Sequence, residues 1–368
     1  PSFTISGYVS EQDNTRGNES NFEPSEQSLL IEQKIFQGFG GIANFKKQKY
    51  EYSLAEFKLQ KIEQEILLAA AEAHADLLLS RKKVNINKVN IDLLERQVET
   101  EKDKLERGEI SLTDLAQSEA SLAGAEAKLI TAQNNLISSK ANFEKIVGKK
   151  FTGNIQDIKF TSFRLPQSLA EAYKISENEN PDLKIAMLEH MKSVEDVRIA
   201  KSDLAPSATL SYKLAEQDDF SSAVQERKQQ TLKATATWPL YSGGSNLSSL
   251  KKAKELENKY NLLYADSKKT VSTSVANAWS SYQSSKSVLN SIRSQVKAAE
   301  IANEGITLEY ESGAGNRTTL EVIQSRSILL NSRIDLATSE KDFLVSRFNV
   351  LSAVGRLTAK HLNLAENN

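Results

Sequence analysis

The sequence predicts a mostly helical fold with a smaller strand content, built twice from one unit: a strand hairpin followed by a long coiled-coil helical hairpin. Three observations predict it. First, residues match across the two halves of the chain at one constant offset: Pro1–Ser6 (PSFTIS) returns as Pro206–Ser211 (PSATLS), and Glu11-Gln12-Asp13 as Glu216-Gln217-Asp218. Gly38 likewise matches Gly243, Lys46-Lys47 match Lys251-Lys252, Ala73 matches Ala278 and Gly108 matches Gly313. Such repetition marks a duplicated structural unit. Second, each copy opens on residues that alternate with a period of two. Third, each continues on long stretches of helix formers without proline.

The elements follow in order. Phe3, Ile5, Gly7 and Val9 alternate with Ser2, Thr4, Ser6, Tyr8 and Ser10, and Ala208, Leu210, Tyr212 and Leu214 alternate with Ser207, Thr209, Ser211 and Lys213. Each set makes a strand with one apolar and one polar face. Polar loops are expected at Asp13–Gln27 and Asp218–Gln230, then second strands at about Ser28–Phe36 and Thr231–Tyr241. Glycines (Gly38, Gly40 and Gly41; Gly243-Gly244) close the hairpins. From Ile42 to Arg107 there is neither proline nor glycine, and Leu54, Phe57, Ile62, Ile66, Leu67, Ala70 and Ala73 recur at three- and four-residue steps. That is a coiled-coil seam. Some 65 residues at ~1.5 Å rise make a rod of roughly 100 Å. Gly108 interrupts it, and a helix at about Ser111–Val147 runs back. The second copy repeats this at about Leu247–Glu311 and Thr318–Val354, with Gly313 to Gly315 at the reversal.

The chain divides accordingly into a first repeat at 1–147 (strand hairpin 1–37, helical hairpin 42–147) and an inter-repeat segment at 148–205. A second repeat follows at 206–355 (strand hairpin 206–241, helical hairpin 247–354), then a tail at 356–368. Within the inter-repeat segment, Phe151–Phe163 reads as a loop with room for a short strand, Pro166–Ser176 as a short helix, and Asn180-Pro181 as the start of a helix ending near Asp203. By symmetry a matching helix is expected upstream of Pro1.

Composition narrows the function. Among 368 residues, 47 Lys and Arg balance 48 Asp and Glu, which gives no general electrostatic reason to expect nucleic acid as a partner. The absence of cysteine removes disulfides, zinc-thiolate clusters and thiol nucleophiles. His74, His190 and His361 stand in unrelated contexts, so no metal site is expected. There is no phosphate loop, serine elbow, strand-end carboxylate pair or Cys-His pair, so no enzyme and no cofactor is expected. No run of 18 apolar residues exists; the nearest candidate, Ile66–Leu79, is broken by Glu72, His74 and Asp76. Helices do not insert in a membrane here, but strands remain free to do so.

Two strand hairpins leave two open sheet edges and no internal cover for either face. Such edges cannot sit in lipid. Closing the sheet with further copies of the chain resolves both problems; two, three or four copies would each close it. A periplasmic coiled-coil structural or adaptor protein without a pore would share the helical hairpins. It would not need alternating strand hairpins each closed by glycines.

Over nearly its whole length the sequence resembles the TolC-like outer-membrane efflux and type I secretion channels. The motifs are Trp238-Pro239-Leu240-Tyr241-Ser242-Gly243-Gly244 with its partner Ile35-Phe36-Gln37-Gly38, and Arg107-Gly108-Glu109-Ile110-Ser111-Leu112-Thr113-Asp114-Leu115. Tyr310-Glu311-Ser312-Gly313-Ala314-Gly315-Asn316-Arg317-Thr318 and Asn349-Val350-Leu351-Ser352-Ala353-Val354-Gly355 complete the set. The resemblance implies a homotrimer with a twelve-stranded β-barrel in outer-membrane lipid, joined to an α-helical barrel that crosses the periplasm. It implies export with a periplasmic adaptor and an inner-membrane transporter, ABC-type or proton-driven. It also implies a gate of Thr113, Asp114, Tyr310 and Arg317, a pore constriction at Glu321 and Gln324, and adaptor contact at helix tips carrying Gly108, Glu109, Gly313 and Gly315. Gln324 stands where the family can carry a second acid, and Ala314-Gly315 lengthen the spacing from Tyr310 to Arg317. Read from the residues alone, Thr113 and Asp114 also suit helix caps, and Arg317 and Glu321 suit a solvated helix turn.

Overall fold

The computed structural model describes residues 1–14, 20–151, 164–221, 224–312 and 317–362. The chain forms two compact units, Pro1–Glu56 with Ile185–Asp266, and Phe57–Lys184 with Ser267–Asn368. The strands are β1 (Ser2–Val9), β2 (Gln12–Asn14), β3 (Ser20–Phe22), β4 (Ser25–Gln37), β5 (Ser207–Ser221) and β6 (Val224–Thr237). The helices are α1 (Gly40–Glu106), α2 (Leu112–Val147), α3 (Leu169–Glu179), α4 (Pro181–Ser202), α5 (Ser245–Ser312) and α6 (Thr319–Val354).

The first unit holds a four-stranded antiparallel sheet in the order β1-β4-β5-β6, and a separate ladder of β2 with β3. Its two hairpins therefore pair with each other through β4 and β5. The ladder runs Ile5↔Leu29, Leu29↔Leu214 and Leu214↔Gln230, with a bulge between Lys34 and Phe36. β1 and β6 are left as edges.

Strand limits differ from the sequence expectation. β4 starts at Ser25, β5 continues to Ser221 and β6 begins at Val224, so much of the expected polar loop in both copies is strand. Ladder hydrogen bonds join backbone groups whatever the side chain, so pairing outruns the apolar stretch. β6 stops at Thr237 rather than Tyr241 because Pro239 has no N–H to donate.

The sheet-to-helix junctions close on the end of α4. Asn246 Nδ2 donates to Asp203 O at 2.9 Å and Trp238 Nε1 to Leu204 O at 3.3 Å. Gly38 has φ +53°, and a Cβ there would stand 2.5 Å from Ala205 Cβ, so only glycine fits this turn. Lys47–Asp196 (2.7 Å) and Lys192–Glu51 (3.0 Å) set α4 beside α1 in this unit.

In the second unit, Ala71 and Ala75 of α1 meet Leu344, Phe348 and Leu351 of α6 and Leu357 in one core, while Ile91 and Leu94 of α1 meet Ala125 of α2 in another. Alanine at these positions lets backbones approach closely. Serines do the same and pair hydroxyls across the helices, Ser80 with Ser139 and Ser285 with Ser346, each at 2.8 Å. Below α6 the chain turns at Gly355 (φ +88°), against the Glu179 backbone. Arg356 grips Glu179 with two hydrogen bonds (2.7 and 2.6 Å), Asn180 Nδ2 donates to Ala353 O, and Gln64 Nε2 donates to Gly355 O. α3 starts later than expected, at Leu169, because Ser168 caps it by accepting from Glu171 N. The segment 152–163, where a loop with room for a short strand is expected, lies outside the described residues.

Candidate functional site

At the α1–α2 reversal, Gly108 takes φ +72° and the amides of Gly108 and Glu109 donate to Leu105 O and Lys104 O, both at 2.9 Å. Glu109 is exposed and pairs with Arg107. α2 then opens on a reciprocal cap: Asp114 N donates to Ser111 Oγ, and Ser111 N and Oγ donate to Asp114 Oδ2. Thr113 is exposed. The second reversal repeats the cap, Thr318 with Glu321. Gly313 and Gly315 lie outside the described residues.

Arg317 bonds within its own hairpin, Nε to Glu309 Oε2 at 2.7 Å and Nη1 to Glu321 Oε1 at 3.0 Å. These two carboxylates raise its pKa above the ordinary guanidinium value, Glu309 most. Glu321 is held below the usual carboxylate range by the Thr318 amide first and by Arg317 second. Gln324 is exposed. Tyr310 hydroxyl pairs with Thr319 Oγ1 at 3.0 Å, and Lys104 Nζ lies 4.1 Å from its ring centroid. Burial pushes the Tyr310 phenol up from its usual value, and the nearby Glu101 and Asp114 carboxylates add to that. The four residues of the expected gate thus share one end of the unit. Asp114 and Arg317 each bond inside their own hairpin, while Tyr310 lies in the field of the first hairpin's carboxylates.

The direct bonds between hairpins come from residues that sequence reasoning missed. Arg326 of α6 donates to Gln97 Oε1 at 2.5 Å and to Leu93 O at 3.3 Å, both on α1. Gln97 Nε2 donates to Glu101 Oε1 at 2.9 Å and reaches Ser118 Oγ of α2 at 3.4 Å. Glu101 is fully buried. Burial lowers the Arg326 pKa, and Glu101 and Glu311 oppose that shift. A signal was available: Leu94, Val98, Glu101 and Leu105 form one seam at steps of four, three and four, so Glu101 is a charge on an apolar stripe.

The sheet in the first unit sorts its side chains by face. Cross-strand partners share a face, so Phe3, Ile5, Leu29, Ile31, Leu210, Tyr212, Leu214 and Leu232 lie on one side. Thr4, Ser6, Ser28, Thr209, Ser211 and Thr235 lie on the other. Among the described residues nothing covers the apolar side: Ile5 is 85% and Leu232 70% exposed. Trp238, Leu240 and Tyr241 follow β6 and are also exposed. Among the described residues no helix is long and apolar enough to cross a membrane, and no His, Cys, Asp and Glu cluster suits a metal ion.

The family model for outer membrane efflux proteins matches residues 1–149 and 172–356. The chain belongs to the outer membrane efflux protein family. It is 25% identical over 341 residues to outer membrane efflux protein BepC of Brucella suis, covering 91% of this chain and 73% of that one. It is 23% identical over 369 residues to outer membrane protein TolC of Escherichia coli, covering 95% and 72%. The fold matches the crystal structure of the CmeC outer membrane channel of Campylobacter jejuni with a TM-score of 0.84 at 14% identity, over 97% of this chain and 78% of that one. This efflux protein therefore resides in the outer membrane and is a transporter rather than an enzyme. The uncovered apolar face of its sheet is the surface that membrane lipid requires.

Proposed function

We propose that three copies of this efflux protein close their sheets into one twelve-stranded barrel above an α-helical tunnel, and that the assembly conducts solutes or proteins passively outward. The observation that carries this is the pair of open edges. A sheet of four antiparallel strands has edges of opposite direction. β6 of one copy can therefore extend β1 of the next as a continuous antiparallel ladder, and a ring removes every edge. The apolar face then meets lipid and the polar face lines water.

In the same reading the helix tips, with Gly108, Glu109, Gly313 and Gly315, meet a periplasmic adaptor. The adaptor connects the channel to an inner-membrane transporter, ABC-type or proton-driven, in a tripartite efflux or type I secretion system. Thr113, Asp114, Tyr310 and Arg317 form the gate, and Glu321 and Gln324 ring the constriction. The placement of all four gate residues at one end of the second unit supports this. So does the position of Tyr310 beside Glu101 and Asp114.

Planar-bilayer recording tests the proposal. The protein should run as a trimer in mild detergent and give discrete conductance steps, and Tyr310→Phe with Arg317→Ser should raise the step size. A monomer without conductance would refute the closed barrel. An unchanged step in the double variant would remove the gate and leave the barrel.

A further inference from the structure

Both helical reversals carry excess acid. Residues 99–119 hold seven Asp and Glu against three Lys and Arg, and residues 304–326 hold four against two. Two ends of like charge repel, so the hairpins part at the tips unless contacts cross between them. The charged residues of the expected gate do not cross. Asp114 accepts from Ser111 in its own cap, and Arg317 pairs with Glu309 and Glu321 of its own hairpin. The Tyr310 hydroxyl is likewise engaged within its hairpin, 3.0 Å from Thr319 Oγ1.

Two cations do cross. Arg326 of α6 reaches Gln97 of α1, and Lys104 of α1 reaches Tyr310 of α5, its Nζ 4.1 Å from the ring centroid. Lys104 stands four residues before Gly108, so its contact is the nearer of the two to the reversal. Both Lys104 and Tyr310 are half-buried. Among the described residues Lys104 forms no ion pair, which leaves the ring as its partner. An ammonium on the face of a tyrosine is held by the ring quadrupole and needs no hydroxyl.

We propose that Lys104 is a gate residue of this channel: its ammonium, seated on the Tyr310 ring, latches the first hairpin to the second in the closed state. The ring of Tyr310, and not its hydroxyl, is the part that closes. This rests on the reading of the helix tips as the gate. Opening parts the hairpins and must lift Lys104 off the ring. Loss of Lys104 acts twice, because it deletes the contact and deepens the acid excess of its own hairpin. Loss of Arg317 acts by charge alone, since it removes a cation from an end already acidic; in Tyr310→Phe with Arg317→Ser the arginine change is therefore the effective half.

The test is planar-bilayer recording of the reconstituted full chain, read as the ratio of time at the larger to the smaller conductance level. One exposed contact of this kind shifts an equilibrium about two- to fivefold, and three copies acting together shift it about ten- to a hundredfold. Lys104→Gln should raise the ratio by that factor. Lys104→Arg should restore it, because a guanidinium also sits on an aromatic face. Tyr310→Phe alone should stay near wild type and Tyr310→Leu should match Lys104→Gln, with little added when the two are combined. Should Tyr310→Leu fail to assemble as a trimer, the two Lys104 variants decide alone. A wild-type ratio in Lys104→Gln, or a Tyr310→Phe channel as open as Tyr310→Leu, would overturn the proposal. If Tyr310→Phe with Arg317→Ser opens the channel while Lys104→Gln does not, only the latch fails; if neither does, the gate itself is not at the tips.

Discussion

Replacing Arg326 by leucine should loosen the two helical hairpins from each other near the tips. The substitution removes a charge-assisted hydrogen bond to Gln97 Oε1 at 2.5 Å and a longer one to Leu93 O at 3.3 Å. A hydrogen bond to a charged group contributes about 1.5–3 kcal/mol, and a buried acceptor left unpaired costs about 1–3 kcal/mol. Glu101, fully buried, also loses the field of the Arg326 guanidinium on α6. Breaking a buried pair from one side costs about 3–5 kcal/mol, and Arg326 is only partly buried, so the expected loss is about 2–4 kcal/mol. In hydrogen exchange that is roughly a 30- to 1,000-fold loss of protection in α1 and α6 beside the network. Glu101→Leu combined with Arg326→Leu should restore most of the protection, because paired apolar replacement removes the uncompensated charge. Protection within twofold of wild type in Arg326→Leu would refute the idea that this network joins the hairpins.

Other outcomes follow from the same structure. Leu210→Arg, on the uncovered apolar face, should cost roughly 2–4 kcal/mol of barrel stability in vesicle unfolding, and Thr209→Arg far less; equal effects would contradict the face assignment. Gly355→Ala should destabilise the α6 turn by at least about 1–3 kcal/mol, read by thermal melting, because its Cβ would meet the Glu179 carbonyl. The Arg356 hydrogen bonds hold the Glu179 carboxyl below its usual range. Since its folded pKa is depressed, the pair's contribution is complete above the unfolded carboxylate value near 4.3 and fades as pH falls through the folded one. Melting temperature should therefore drop below about pH 4, and Arg356→Gln should flatten that acid slope.

Much of this protein follows from sequence because its determinants are local or periodic. Period-two alternation at Phe3–Val9 and Ala208–Leu214, the proline-free run from Ile42 to Arg107 and the glycines at Gly38 and Gly108 each dictate one element within a few residues. Duplication then orders the elements. The caps are legible only in part: Asp114 reads as a cap residue, but its partner is Ser111 rather than Thr113, and Thr318 with Glu321 repeats the same spacing where a solvated turn is expected.

What only the tertiary structure decided is pairing over distance. That β4 joins β5, and so makes two hairpins one sheet with two edges, depends on a register between residues almost two hundred positions apart, and nothing in either strand's own pattern encodes its partner. The extension of β5 and β6 through polar residues is backbone pairing, which side-chain pattern does not report. The same holds at the tips. Arg317, expected in the gate with Thr113, Asp114 and Tyr310, takes Glu309 and Glu321 of its own hairpin as partners, whereas Arg326, an ordinary surface residue by composition, meets Gln97 across the seam. A charge takes the partner that folding brings within hydrogen-bond reach and desolvates with it, and that choice is made by how the helices pack.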